Sequence, residues 1–158
     1  MLGKILVFLD EIGLRTRLVE LPNPTFLPGI DVLDGVLLID ESKLTYPGDV
    51  LHEAGHLAIL SAEQRRKMNH DAGADPGYEM AAIAWSYAAA IHVNIEPSVI
   101  FHPAGYRGGA QAIIDNFAEG RYIGVPILQW LGMSLDTKTA REQQNVHPFP
   151  HMLKWVVD

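Results

Sequence analysis

Residues 48–60 read GDVLHEAGHLAIL, and a helix is the conformation that gives their two histidines a common purpose. With about 3.6 residues per turn, positions four apart differ by only about 40° around the axis, so the imidazoles of His52 and His56 reach one point. Glu53 takes the neighbouring bearing, close enough to touch a metal-bound water without ligating the metal. Ala54 and Gly55 are small and let the far side of the helix pack closely. Asp49, after Pro47 and Gly48, is the natural N-cap, and the pattern predicts a helix from there to about Lys67.

The rest of the composition restricts what such a site can contain. The 158 residues include no cysteine, so a metal would be held by histidine, aspartate or glutamate alone. A chain of this length supports one hydrophobic core without disulfides, and a single domain spanning 1–158 is expected. Twelve basic against nineteen acidic residues leave a formal charge of -7, which argues against nucleic acid or an anionic membrane as the main partner. The cluster Arg65, Arg66 and Lys67 reads as cations at the end of a helix. MLGKILVFLDEIG is too short in its apolar run for a signal peptide or a membrane span, and the expectation is a soluble, cytoplasmic chain. The apolar tail Met152, Leu153, Trp155, Val156 and Val157 is expected to dock on its own core, and the oligomeric state stays open.

Periodicity supplies the surroundings of the motif. Ile5, Leu6, Phe8, Leu9 and Ile12 predict a first helix closed by Gly13. Partial alternation predicts a strand over 14–20, broken by Pro22 and Pro24. In GIDVLDGVLLID, residues 29–40, the Asp34 and Gly35 pair predicts a hairpin. HDAGADPGY reads as a loop, with Asp75 as N-cap and Pro76 opening a long alanine-rich helix to about His92. That helix is apolar nearly all round and so belongs at the centre. Residues 96–109 read as an irregular loop long enough to carry function. AQAIIDNFAEG predicts another helix, and VPILQWLGM a short one beginning near Pro126. Together these elements make an α+β fold, a short antiparallel sheet packed on several helices.

Two imidazoles suit zinc, and an open site needs a third protein ligand. A continued HExxHxxGxxH motif is excluded, because Ile59 and Ala62 stand at the corresponding positions. Glu79 is the sole acid on the alanine-rich helix, and a nearby cation would explain a carboxylate there. A first-turn acid is also stabilised by the helix dipole alone. Asp75, His92 and His102 are rivals, Asp75 being explained more simply as a cap. HExxH fixes three positions in five and also arises by chance on structural helices. The apolar context of Val50, Leu51, Leu57, Ala58, Ile59 and Leu60 favours a site.

With HEAGH on one helix and Glu79 leading YEMAAIAWSYAAA on the next, residues 36–92 resemble the gluzincin class of zinc metallopeptidases, and most of all its compact ImmA/IrrE group. The resemblance implies a zincin-like domain, zinc on His52, His56 and Glu79, catalysis by Glu53, and a peptide or protein substrate added as a strand at an exposed edge, over 36–40 or 14–20. It departs from thermolysin-like enzymes at Ile83, where they carry an aspartate, which leaves the outer carboxylate of the zinc histidines unassigned.

In such a hydrolase Glu53 serves as general base towards water and then as acid towards the leaving nitrogen. The oxyanion needs a donor, for which His102, Tyr106, Arg107 and Tyr122 are candidates by loop position. Two other classes stand beside this one. A zinc-binding sensor or interaction module would keep the metal without catalysis, and a metal-free structural protein would use the histidines as a polar helix face.

Overall fold

The computed structural model describes residues 1–70 and 75–158, so the middle of the expected HDAGADPGY loop, 71–74, lies outside the described residues. The fold is α+β, with a three-stranded sheet and helices running through the rest of the chain. Helix α1, Leu2–Glu11, buries Ile5, Phe8 and Leu9 at helical spacing. Gly13 follows at φ 81. Strand β1 is Thr16–Leu18, shorter than the expected 14–20. Strands β2, Ile30–Leu33, and β3, Val36–Ile39, form the expected hairpin. Its two-residue turn places Asp34 at φ 49 and Gly35 at φ 71, both in the left-handed region such a turn requires.

The sheet corrects two expectations. Its order is β1, β3, β2, with β1 parallel and β2 antiparallel to β3, so it is mixed and not purely antiparallel. The connection through 19–29 leaves a slot between β1 and β2, and the hairpin folds β3 back into it. Residues 36–39 are therefore central and offer no edge. Of the two proposed edges only β1 is one, and Leu18 there is 54% exposed.

Helix α2, Gly48–Ala58, carries the motif. Its N-cap is Pro47, not Asp49, which sits inside the first turn and is buried. The helix also stops well before Lys67. Ser61 starts a separate α3, Ala62–Arg66, with a reciprocal capping box in which Ser61 Oγ accepts from the Gln64 amide and the Gln64 side chain accepts from the Ser61 amide. Helix α4, Pro76–His92, begins as expected: the Asp75 carboxylate accepts from the amides of Gly77 at 2.8 Å and Tyr78 at 3.3 Å.

The stretch after α4 is more regular than expected. It contains a single-turn helix α5, Pro97–Ile100, and a 3-10 turn, Tyr106–Gly108. Helices α6, Ala110–Ala118, and α7, Val125–Trp130, follow where expected. Helix α8, Thr137–Glu142, was not foreseen and is capped by Asp136.

Helices α2 and α4 cross at the centre, where α4 buries Ala81, Ala82, Ala84, Trp85 and Ala88. Gly55 lets them approach: a Cβ there would stand 2.9 Å from the Ala82 carbonyl oxygen. The tail docks on the same core. Trp85 Nε1 donates to the Trp155 carbonyl at 2.8 Å, and the Val157 amide to the Ala58 carbonyl at 2.8 Å. Among the described residues no helix is long and apolar enough to cross a membrane.

Candidate metal centre

The crossing of α2 and α4 brings the predicted ligands together. His52 and His56 lie one turn apart on α2, and their Nε2 atoms approach to 3.1 Å. Glu79, in the first turn of α4, reaches both: Oε1 is 3.4 Å from His52 Nε2, and Oε2 is 3.0 Å from His56 Nε2. Nitrogen and oxygen ligands about 2.0–2.1 Å from a tetrahedral zinc would stand about 3.3–3.4 Å from one another. The observed separations, 3.1 Å between the imidazole nitrogens and 3.4 and 3.0 Å from them to the two different oxygens of Glu79, lie near those edges.

Proton accounting leads the same way. A neutral imidazole nitrogen either donates or accepts. If His56 Nε2 accepts from His52, it cannot donate to Glu79; if both nitrogens donate to Glu79, two N–H groups face each other. With Glu79 ionised, no arrangement of neutral rings satisfies all three contacts, whereas lone pairs from the three residues directed at one cation do.

The electrostatics keep the donors in their ligating forms. Burial of the His52 imidazole, reinforced by His56, pulls its pKa down to about 4, against the opposing effect of Glu79. The hydrogen bond with His56 holds the Glu79 carboxyl below the usual glutamate range, with partial burial opposing. A neutral ring and an ionised carboxylate are what a divalent metal needs. Glu53 also belongs here, since it, His52 and His56 bring one donor atom each within 4.8 Å of one another. Glu53 is thus a second carboxylate beside the two imidazoles. Among the described residues His52 Nδ1 is buried without a hydrogen-bond partner, in keeping with the missing aspartate at Ile83.

The candidate oxyanion donors part company. The Tyr106 ring meets His52 edge-on, with centroids 5.4 Å apart at 81°, and among the described residues its buried hydroxyl has no hydrogen-bond partner. Burial, then the charges of Asp49, Glu79 and Glu53, push its ionisation well above the usual tyrosine range, so it remains a donor. His102 Nε2 is engaged 2.9 Å from Oδ1 of Asp49, which lies one helical turn before the motif. Arg107 is exposed. Tyr122 packs on Phe149 at 4.8 Å and Phe117 at 6.1 Å, with Phe117, Phe101 and Tyr106 forming a chain of rings between it and the site.

The rival ligands are also occupied elsewhere. Asp75 caps α4, and His92 packs between Phe8 and Trp155 at 5.5 and 5.1 Å. Asp49 is the neighbour that its reading as a cap concealed. Burial raises its pKa, while the bond to His102 holds it down. Its signal in the sequence was its place three residues before His52 and four before Glu53, one turn back on the motif's own face. Comparison with protein-family models, with curated proteins and with solved structures finds no match for this chain.

Proposed function

We propose that the chain is a zinc-dependent hydrolase that cleaves peptide bonds. The observation that carries this reading is the convergence of His52 Nε2, His56 Nε2 and the two carboxylate oxygens of Glu79, with contacts of 3.1, 3.4 and 3.0 Å. These three residues would hold the ion. When bound, zinc supplies a Lewis acid that brings the ionisation of water towards neutral pH.

The remaining work falls to the protein. Glu53 accepts a proton from the attacking water as its oxygen bonds to the substrate carbonyl carbon, and it returns that proton to the nitrogen as the carbon–nitrogen bond breaks. Tyr106, protonated and packed edge-on against His52, donates a hydrogen bond to the oxygen of the tetrahedral intermediate. The exposed outer side of β1 is where an extended peptide would pair, since β3 is enclosed between its neighbours.

Metal content by elemental analysis and hydrolysis of a mixed peptide library test this reading. Wild type should carry one zinc per chain and cleave peptides. Glu53→Gln should retain the zinc and lose about 10²- to 10⁴-fold in kcat, the usual contribution of general acid–base catalysis. Zinc without cleavage in wild type would assign the site to a binding module, and a protein that takes up no zinc overturns both readings.

A further inference from the structure

We propose that Asp49 and His102 are a positioning pair that holds Tyr106 against the metal-binding cluster, so that its hydroxyl meets the substrate carbonyl oxygen. The proposal rests on the hydrolase reading above and deepens it. Asp49 is 5% exposed and His102 8%, and their bond of 2.9 Å joins helix α2 to the segment after α5 across 53 positions of sequence. A buried carboxylate paired with an imidazole costs desolvation of both groups, a poor way simply to gain stability. What the pair does gain is location. Asp49 stands one turn before His52 and Glu53, and His102 stands four residues before Tyr106.

The neighbouring packing fixes both ends of this connection. The His102 ring lies flat on Tyr46, with centroids 3.8 Å apart at 9°. At Gly48, beside Asp49, a Cβ would stand 2.1 Å from the Val99 carbonyl oxygen, so the start of α2 lies directly on α5. From there the chain turns through Tyr106 at φ 55 and Arg107 at φ 51, two non-glycine residues held in the left-handed region. Such a conformation persists only where its surroundings over-determine it. Here it delivers the Tyr106 ring onto His52, and the hydroxyl ends buried with no partner of its own among the described residues. A donor held ready next to ligands and base is suited to an oxygen that arrives with substrate.

Zinc-loaded protein with three substitutions tests the assignment. His102→Phe keeps the ring on Tyr46 and removes the bond; His102→Gln restores a donor at the Nε2 position without the stack. Amide hydrogen exchange over 103–109 should rise in His102→Phe and return towards wild type in His102→Gln, with α4 unchanged and zinc content intact. In kcat, His102→Phe should lose about a hundredfold, the scale of a misplaced catalytic group. His102→Gln should recover most of that loss. Because His102 acts through Tyr106, the double variant His102→Phe with Tyr106→Phe should be no slower than Tyr106→Phe alone. Unchanged exchange in His102→Phe, equal damage in His102→Gln, or multiplying losses in the double variant would each overturn the proposal. A wild type that binds zinc but cleaves nothing refutes the hydrolase reading instead, and the exchange results still decide whether the pair holds Tyr106.

Discussion

His52 shows how far burial alone can prepare a side chain for a metal. In the unfolded chain its imidazole titrates near 6.5, and in the folded protein at about 4. Between those values the unfolded chain binds a proton that the native state refuses, so stability rises with pH across the window and falls as the solution is acidified through it. The His52 contribution is present above about pH 6.5 and gone below about pH 4, a loss of about 3 kcal/mol at about 1.4 kcal/mol per pH unit. Urea unfolding of chelator-treated protein should therefore show a lower midpoint at pH 4.5 than at pH 7. His52→Gln, with no charge to refuse, should be flatter over the same range; an unchanged slope would place the effect elsewhere. The residues of this site differ in how they could be read from the chain. His52, Glu53 and His56 were legible because their relation is local, and Glu79 because it is a single acid on an apolar helix. The pairing of Asp49 with His102 spans 53 positions and left no local trace. Asp49 therefore looked like the cap that its position before an apolar run suggested, and His102 like a donor, although Nε2 is already engaged.

Between elements, the site depends on how closely α2 and α4 approach, and two glycines separate helix propensity from helix packing. Gly3 in α1 has nothing within 4 Å of a Cβ, so Gly3→Ala should gain the usual propensity difference of about 1 kcal/mol. Gly55→Ala earns the same intrinsic gain but places its methyl 2.9 Å from a backbone oxygen of α4, where overpacking costs about 1–3 kcal/mol. The clash should win. Thermal melts should move in opposite directions for the two variants, and in Gly55→Ala zinc affinity should fall as Glu79 is pushed away from the imidazoles. A stabilised Gly55→Ala with unchanged zinc affinity would mean that the crossing is looser than described. The elements legible in the sequence were those with their own start and stop signals: α1, the Asp34 and Gly35 hairpin, and α4 behind Asp75 and Pro76. The break in α2 was also written there, as Ser61 three residues before Gln64, but the apolar run through Leu60 masked it. The strand order was not, since inserting β3 beside β1 is settled by pairing between distant segments.

At the scale of the whole molecule, the three proposed ligands belong to two helices that meet in a hydrophobic cluster, so an ion would cross-link the centre of the fold. The tail joins the same unit: Arg65 donates to the Val157 carbonyl at 2.6 Å and to the Leu57 carbonyl at 2.9 Å, while Trp155 lies edge-on to Phe8 and Trp85. Because helices α1, α2 and α4 and the tail share this cluster among the described residues, loss of a bound metal should weaken the protein throughout and not loosen one part. A ligand that binds only the native state, at a free concentration of about one hundred times its Kd, adds about 2.7 kcal/mol. For a chain of 158 residues that corresponds to roughly 5–10 °C in Tm. Calorimetry of the zinc-loaded protein before and after chelation should thus show one transition displaced downwards by that amount. In His56→Ala, which removes one of the three proposed ligands, the two scans should nearly coincide. A chelator shift that survives His56→Ala would locate the metal away from α2 and α4, and the absence of any shift in a wild type proven to carry zinc would mean that the ion is held without bracing the fold.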